Sequence, residues 1–246
     1  MIKVFKLSTL FFLCLSMQGQ GFEKKDIVLP ELGDRVSGAV SSDQEKAIGN
    51  EFLKQIFAQA KTISDPLIYE YTELLIYRLS EYSQVQDRYF NIILIDDSSL
   101  NAFAAPGGII GVNGGLFLNA DNEGQFASVL SHELAHLKSN HYYSKVGVST
   151  FTSAALSVAG MFVPGLSYLD HVVNPAITNS FGRQFELSAD KLAVEYIKKT
   201  GLTKTDYLKF LYWMKENLDV SNGFAKTSLF STHPATQERI NQLMEN

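Results

Sequence analysis

Cysteine is nearly missing from this 246-residue sequence, which holds Cys14 and no other. That rules out an intrachain disulfide framework, and a cysteine-rich metal site with it. Positive charge is also in short supply. The chain has 21 Lys and Arg against 26 Asp and Glu, a net charge of −5, with no basic stripe. Nucleic-acid binding therefore has no electrostatic footing. Long uninterrupted apolar runs are scarce too: the most apolar internal stretch, residues 146–166, is broken up by Ser and Thr, which disfavours the roughly 20 apolar residues that a transmembrane helix requires. What remains, at 46% hydrophobic and 19% charged residues, is enough for one sizeable core or at most two.

The front end stands apart from that core. Lys3 and Lys6 flank a short apolar run over residues 7–17, and Gln18, Gly19, Gln20 and Gly21 follow. A basic start, a short apolar middle and a small-residue exit read as a secretory signal peptide over residues 1–21. An uncleaved membrane anchor is the rival reading, but the run is short for a bilayer. Cys14 lies inside this segment, and bulky Phe11, Phe12 and Leu13 before it speak against lipid attachment. The exported remainder loses only Lys3 and Lys6, leaving 19 basic residues against 26 acidic ones.

Residues 22–42 lack periodicity and read as an extended lead-in, and residues 43–246 read as the working domain. Ala47, Ile48, Phe52, Ile56 and Phe57 recur at helical spacing through about residue 60. Asp65 before Pro66 is a helix-start signal, and Ile68, Tyr71, Leu75, Ile76 and Leu79 carry a second helix. The β-branched run within residues 89–96 predicts a strand. In the segment Asn101-Ala102-Phe103-Ala104-Ala105-Pro106-Gly107-Gly108, then residues 109–112 and Asn113-Gly114-Gly115, Pro106 and the paired glycines read as turns that punctuate two short extended pieces of a small sheet with an exposed edge. Residues 146–166 are apolar but rich in Gly, Ser, Thr and Ala, and read as a buried or membrane-touching helix or lid rather than a span.

The chain is arranged around Leu130-Ser131-His132-Glu133-Leu134-Ala135-His136-Leu137, an H-E-x-x-H motif on a predicted helix over 123–140, capped by Asp121 or Asn122. Residues four apart on a helix share a face. His132 and His136 can therefore aim two imidazoles at one point, with Glu133 beside it. Zinc takes such nitrogens, and in catalytic sites it keeps a position open for a water that needs a base. His141, nine residues after His132, is predicted to point away from that centre as a polar or packing residue.

A further helix over 181–199 carries Glu186 and Asp190 on one face. Glu186 would complete a His₂Glu metal site, and Asp190 can hold a ligating His through its other ring nitrogen. The plainer alternative is a solvated acidic face paired with Lys191 or Arg183. The Asn101–Ala104 segment, placed before a zinc helix, suggests an edge strand that pairs with an extended substrate. His233-Pro234 reads as the start of a last helix.

His132-Glu133-x-x-His136, Glu186-x-x-Ala189-Asp190 and the segment from Asn101 to Gly108 together resemble metallopeptidase family forty-eight, the gluzincins with BepA-like, Oma-type and CAAX-protease-related branches. The resemblance runs from Glu45-x-x-Ile48-Gly49 to Thr232-His233-Pro234-Ala235-Thr236-x-x-Arg239-Ile240. It implies an α+β, mainly helical zincin-like domain with a small sheet beside the H-E-x-x-H helix. It also implies that Asn101, Ala102, Phe103 and Ala104 lie beside the cleft, and that Asp190 is an outer partner or proton donor. It further implies that His233 can approach the metal at rest and that Arg239 faces the cleft. No tetratricopeptide repeats follow Arg239 in this sequence.

The expectation is thus an exported, periplasmic endopeptidase with one Zn²⁺ per chain, held by His132, His136 and Glu186. Glu133 would be its base, Asp190 an assisting carboxylate, and His233 or Arg239 a gating or transition-state group. Its partner would be an unfolded or extended polypeptide, with any membrane contact made through residues 146–166; oligomeric state is not readable. The alternative is a binding protein or chaperone with a latched zinc site, and a membrane-embedded protease is a third reading.

Overall fold

Helix signals and β-branched runs alternate along the chain, and the computed structural model assembles them around one central helix. It describes residues 42–83, 85, 89–142, 182–218, 233 and 237–245. The expected signal peptide, nearly all of the lead-in and the 146–166 segment lie outside these residues. The described elements are α1 (Ser42–Gln59), α2 (Pro66–Ser80), β1 (Asn91–Ile95), β2 (Ala102–Ala105), β3 (Ile109–Asn113), α3 (Gly114–Asn119), α4 (Glu123–Lys138), α5 (Arg183–Lys198), α6 (Lys204–Leu218) and α7 (Gln237–Glu245).

The sheet has the order β1-β3-β2. β1 runs parallel to β3 with Asn91 opposite Ile109, and β2 runs antiparallel to β3 with Ala105 opposite Ile109. Pro106, Gly107 and Gly108 turn the chain between β2 and β3, and both glycines adopt positive φ (79° and 71°), a conformation that side chains other than glycine resist. β1 is apolar on both faces because both are covered, as expected of a strand paired in parallel. β2 lies at the sheet edge as expected, yet its four residues are all buried, with exposures of 0–3%. The exposed edge that the sequence suggested is therefore corrected: α4 packs against β2 and covers it.

Local signals account for the helix ends. The Asp65 side chain caps α2 by accepting from the Leu67 and Ile68 N–H groups. Asn122, rather than Asp121, caps α4 by accepting from the Gln125 N–H at 3.1 Å, while Asp121 pairs with the Gln125 side chain. Residues 124–137 of α4 are all buried, so the helix passes through the middle of the domain with α2, α5, α6 and β2 packed around it. Of Asn113-Gly114-Gly115, expected as a turn, Asn113 ends β3 and the two glycines begin the short helix α3. Helix α6 had no counterpart in the sequence reading. Its start is a reciprocal cap, in which the Thr203 N–H donates to Asp206 Oδ2 at 2.9 Å and the Asp206 N–H donates to Thr203 Oγ1 at 3.3 Å. Tyr207, Phe210, Leu211 and Met214 form its buried stripe at helical spacing.

Candidate metal centre

Helix α4 brings His132, Glu133 and His136 into the interior at 1% exposure each. Helix α5 crosses beside it, with Ala189 and Ala193 fully buried, and delivers Glu186 and Asp190 at 2% and 0%. His233, also fully buried, comes from the segment ahead of α7. Ligand atoms of His132, His136, Glu186 and His233 all lie within 4.8 Å of one another. His136 Nε2 stands 3.1 Å from His132 Nε2, which is 3.2 Å from His233 Nδ1. Glu186 reaches all three rings, with Oε2 3.2 Å from His132 Nε2 and Oε1 3.4 Å from His136 Nε2 and 3.0 Å from His233 Nδ1.

Three imidazole nitrogens and a carboxylate converging in a buried space call for a cation. Two nitrogens each 2.0–2.1 Å from a tetrahedral zinc ion stand about 3.3 Å apart, close to the nitrogen separations here. Glu133 Oε1 is buried without a hydrogen-bond partner, an arrangement that is costly unless a charge or a bound group answers it. The donor set of nitrogen and oxygen atoms is one that zinc accepts. These residues fit a metal ion.

The outer contacts orient the cluster. Tyr207 of α6 donates its hydroxyl proton to Asp190 Oδ1 at 2.7 Å, and its oxygen lies 2.9 Å from His132 Nδ1. Asp190 Oδ1 is itself 3.2 Å from that nitrogen. With its Nδ1 proton directed to this pair, His132 turns the Nε2 lone pair toward the cluster. Arg239, 1% exposed, donates to both oxygens of Asp190, from Nε at 2.7 Å and from Nη2 at 2.6 Å. Its Nη1 reaches Glu186 Oε2 at 2.8 Å and donates to the His233 carbonyl at 3.2 Å. The structure thus engages Arg239 with two carboxylates and a backbone carbonyl, and sets Asp190 behind His132.

Charge in the cluster is finely opposed. Burial works against a charged His132 ring, yet Glu186 and Asp190 outweigh it and raise its pKa to about 9. Burial dominates at His136 and holds it well below the ordinary imidazole range. At Glu186 burial is overcome by His233 and His132, which keep the carboxyl well below the usual range. At Asp190 burial is overcome by Arg239, which holds the carboxyl down to about 2. Glu133 goes the other way: burial pushes its pKa up, against the opposing pull of His233 and His132. Of the three carboxylates it alone has a raised proton affinity.

Asn101, Ala102, Phe103 and Ala104 are all buried, and Ala104 is the one whose contact with the centre is seen among the described residues. The Ala104 N–H donates to Glu133 Oε2 at 3.1 Å, tying the edge strand to the glutamate of the motif without engaging Oε1 by a hydrogen bond. Phe103 turns into the core, edge-on to Phe52 at 5.9 Å between ring centres. His141 departs from expectation. Helix α4 ends at Lys138, and Asn140 takes a positive φ of 51°, so counting 100° per residue no longer applies. The reversed chain brings His141 Nδ1 to 3.0 Å from His136 Nδ1. It lies outside the four-residue donor group but touches one of its members. Its pKa falls to about 4, through burial and then the charge on His132. Tyr207 was missed because α6 was missed; the Thr203/Asp206 cap and the four-residue apolar stripe were the signals available.

Residues 69–246 match the profile of Peptidase family M48. The chain belongs to this family of metallopeptidases. Its mainly helical fold, with a three-stranded sheet beside the H-E-x-x-H helix, is the one expected of the family. Among M48 relatives, the beta-barrel assembly-enhancing protease of Yersinia pestis is 30% identical over 90% of this chain and 47% of its own length. The protein of that name from Escherichia coli (strain K12) is 27% identical over 86% of this chain and 45% of its own. Mitochondrial metalloendopeptidase OMA1 of Schizosaccharomyces pombe is 26% identical over 84% of this chain and 62% of its own. The chain spans about half the length of the bacterial relatives it matches.

Proposed function

We propose that this chain is a zinc-dependent endopeptidase acting on extended segments of unfolded or misassembled envelope proteins. The observation that carries the reading is the meeting of His132 and His136 from α4 with Glu186 from α5, with Glu133 beside them. His132, His136 and Glu186 would hold the ion, which when bound supplies a Lewis acid for the scissile carbonyl and for a water. Glu133 takes the proton from the attacking water and returns it to the leaving amine, a task that its raised proton affinity suits. The Ala104 N–H keeps one oxygen of Glu133 fixed while the other works. Tyr207, Asp190 and Arg239 fix His132 and Glu186 from behind.

His233 stands within the donor group, 3.0 Å from Glu186, and its Nε2 is 3.5 Å from Glu133 Oε1. In that position it closes the place that water and substrate would take, which makes this a resting arrangement that opens when His233 withdraws. The same observation favours a second reading, a binding protein whose metal is latched. The names of the bacterial relatives, together with the signal-like residues 1–21, support a periplasmic setting. No helix among the described residues is long and apolar enough to cross a membrane.

Replacement of Glu133 by Gln separates the two readings. Cleavage of a chemically unfolded protein should fall by about 100-fold or more, with zinc content unchanged. Cleavage that persists in Glu133→Gln overturns the enzyme reading. Suppression of aggregation by both forms, with cleavage by neither, supports the latched binder.

A further inference from the structure

His141 is a buried imidazole that the mechanism above does not use. Its ring lies against His136 at 4.9 Å between centres, and against Phe185 of α5 at 4.7 Å. Its two nitrogens have different neighbours. Nδ1 is 3.0 Å from His136 Nδ1, and Nε2 is 3.3 Å from Ser188 Oγ. Ser188 Oγ in turn donates to the Phe185 carbonyl at 3.3 Å. A ligating His136 that offers Nε2 to a metal carries its proton on Nδ1, which makes His136 Nδ1–H the donor and His141 Nδ1 the acceptor. The row then continues consistently, with His141 Nε2–H donating to the serine oxygen and the serine proton going to the Phe185 carbonyl.

We propose that His141 is a positioning residue for the metal centre. By accepting the Nδ1 proton of His136, it selects the ring form whose Nε2 lone pair faces His132 and Glu186. The inference rests on the proposed metal site and adds a role that the H-E-x-x-H pattern does not contain. The two ligating histidines would then be held by different means. His132 gives its outer proton to the Tyr207 and Asp190 pair, and His136 gives its own to a neutral imidazole backed by a serine. The backbone supports this use. The positive φ at Asn140 ends the helical path, and Tyr142 holds the reversed chain by donating within reach of Asn140 Oδ1 (2.7 Å) and Glu45 Oε1 (3.0 Å). That reversal carries His141 back onto the helix it has just left.

The test is zinc affinity of the full chain, read by competition with a chromophoric chelator, with the Co²⁺ absorption spectrum as a second readout. Removal of an outer partner of a ligating histidine typically weakens metal binding by about 10–100-fold. His141→Phe, which keeps a ring in the space, should weaken zinc binding by that amount and alter the Co²⁺ bands. His141→Gln, which offers an amide oxygen as acceptor, should recover part of the loss. Should His141→Phe fail to fold, Ser188→Ala decides the matter, since it leaves the ring in place but removes its outer anchor; a loss of several-fold is expected. Unchanged zinc affinity in His141→Phe, or in Ser188→Ala where that variant decides, overturns the inference while leaving the metal site intact. If the unaltered chain itself binds no zinc, both the inference and the functional reading beneath it fall.

Discussion

Asp190 and Arg239 are buried at 0% and 1% exposure, and each answers the other's charge. Removing one partner of such a pair leaves an uncompensated charge in the interior, which costs about 3–5 kcal/mol. Asp190→Ala should therefore lose stability by that amount in urea denaturation, and a loss under about 1 kcal/mol would mean that Arg239 finds another partner. The pair also sets a pH dependence. The Asp190 carboxyl is depressed from 3.8 to about 2, so its contribution is present above the ordinary carboxyl range and is lost as pH falls through about 2. Acid unfolding followed by circular dichroism should show this loss in the unaltered protein and lack it in Asp190→Asn. Most of this residue-scale chemistry was legible beforehand. The H-E-x-x-H spacing and the Glu186/Asp190 pair each sit on one helix, where geometry follows from sequence separation. The roles of Tyr207 and His141 were not legible, because each depends on where a chain segment goes after a helix begins or ends.

At the scale of elements, α1 is docked on the turn that presents β2 to the centre. A Cβ built on Gly49 would lie 2.6 Å from the Pro106 carbonyl oxygen and 3.0 Å from Gly107 Cα, both backbone atoms that cannot swing aside. Glu45, one turn earlier on α1, accepts from the Gly107 N–H at 3.3 Å and from the Tyr142 hydroxyl at 3.0 Å. Gly49→Ala should push α1 off this turn and cost about 1–3 kcal/mol. Thermal unfolding measures it, and an unchanged midpoint would show that the contact has slack. The sequence marked Gly107 and Gly108 as a turn but said nothing of what approaches them. Burial of the β2 edge was hidden for the same reason: alternation and turn residues specify a strand, whereas its cover comes from a helix about twenty residues further on.

For the whole molecule, the metal centre is also where distant parts of the chain are joined. Helices α4, α5, α6 and α7 and the segment at His233 all contribute side chains that meet within hydrogen-bonding distance. A ligand that binds the folded state alone stabilises it by RT ln(1 + [L]/Kd), about 2.7 kcal/mol when present at 100 times Kd. In a domain of this size that amounts to about 5–10 °C in Tm. Chelation of a zinc-loaded sample should lower Tm by this margin, and Glu133→Gln, which keeps the donor set, should respond in the same way. A melting curve indifferent to chelator would disconnect the cluster from any ion.

The most direct test is elemental analysis of the purified, unaltered full chain after equilibration with zinc and removal of the excess. The account predicts one zinc ion per chain, lost when Glu186 is replaced by Ala. A chain that retains no stoichiometric zinc, or that retains it equally well without the Glu186 carboxylate, would contradict it.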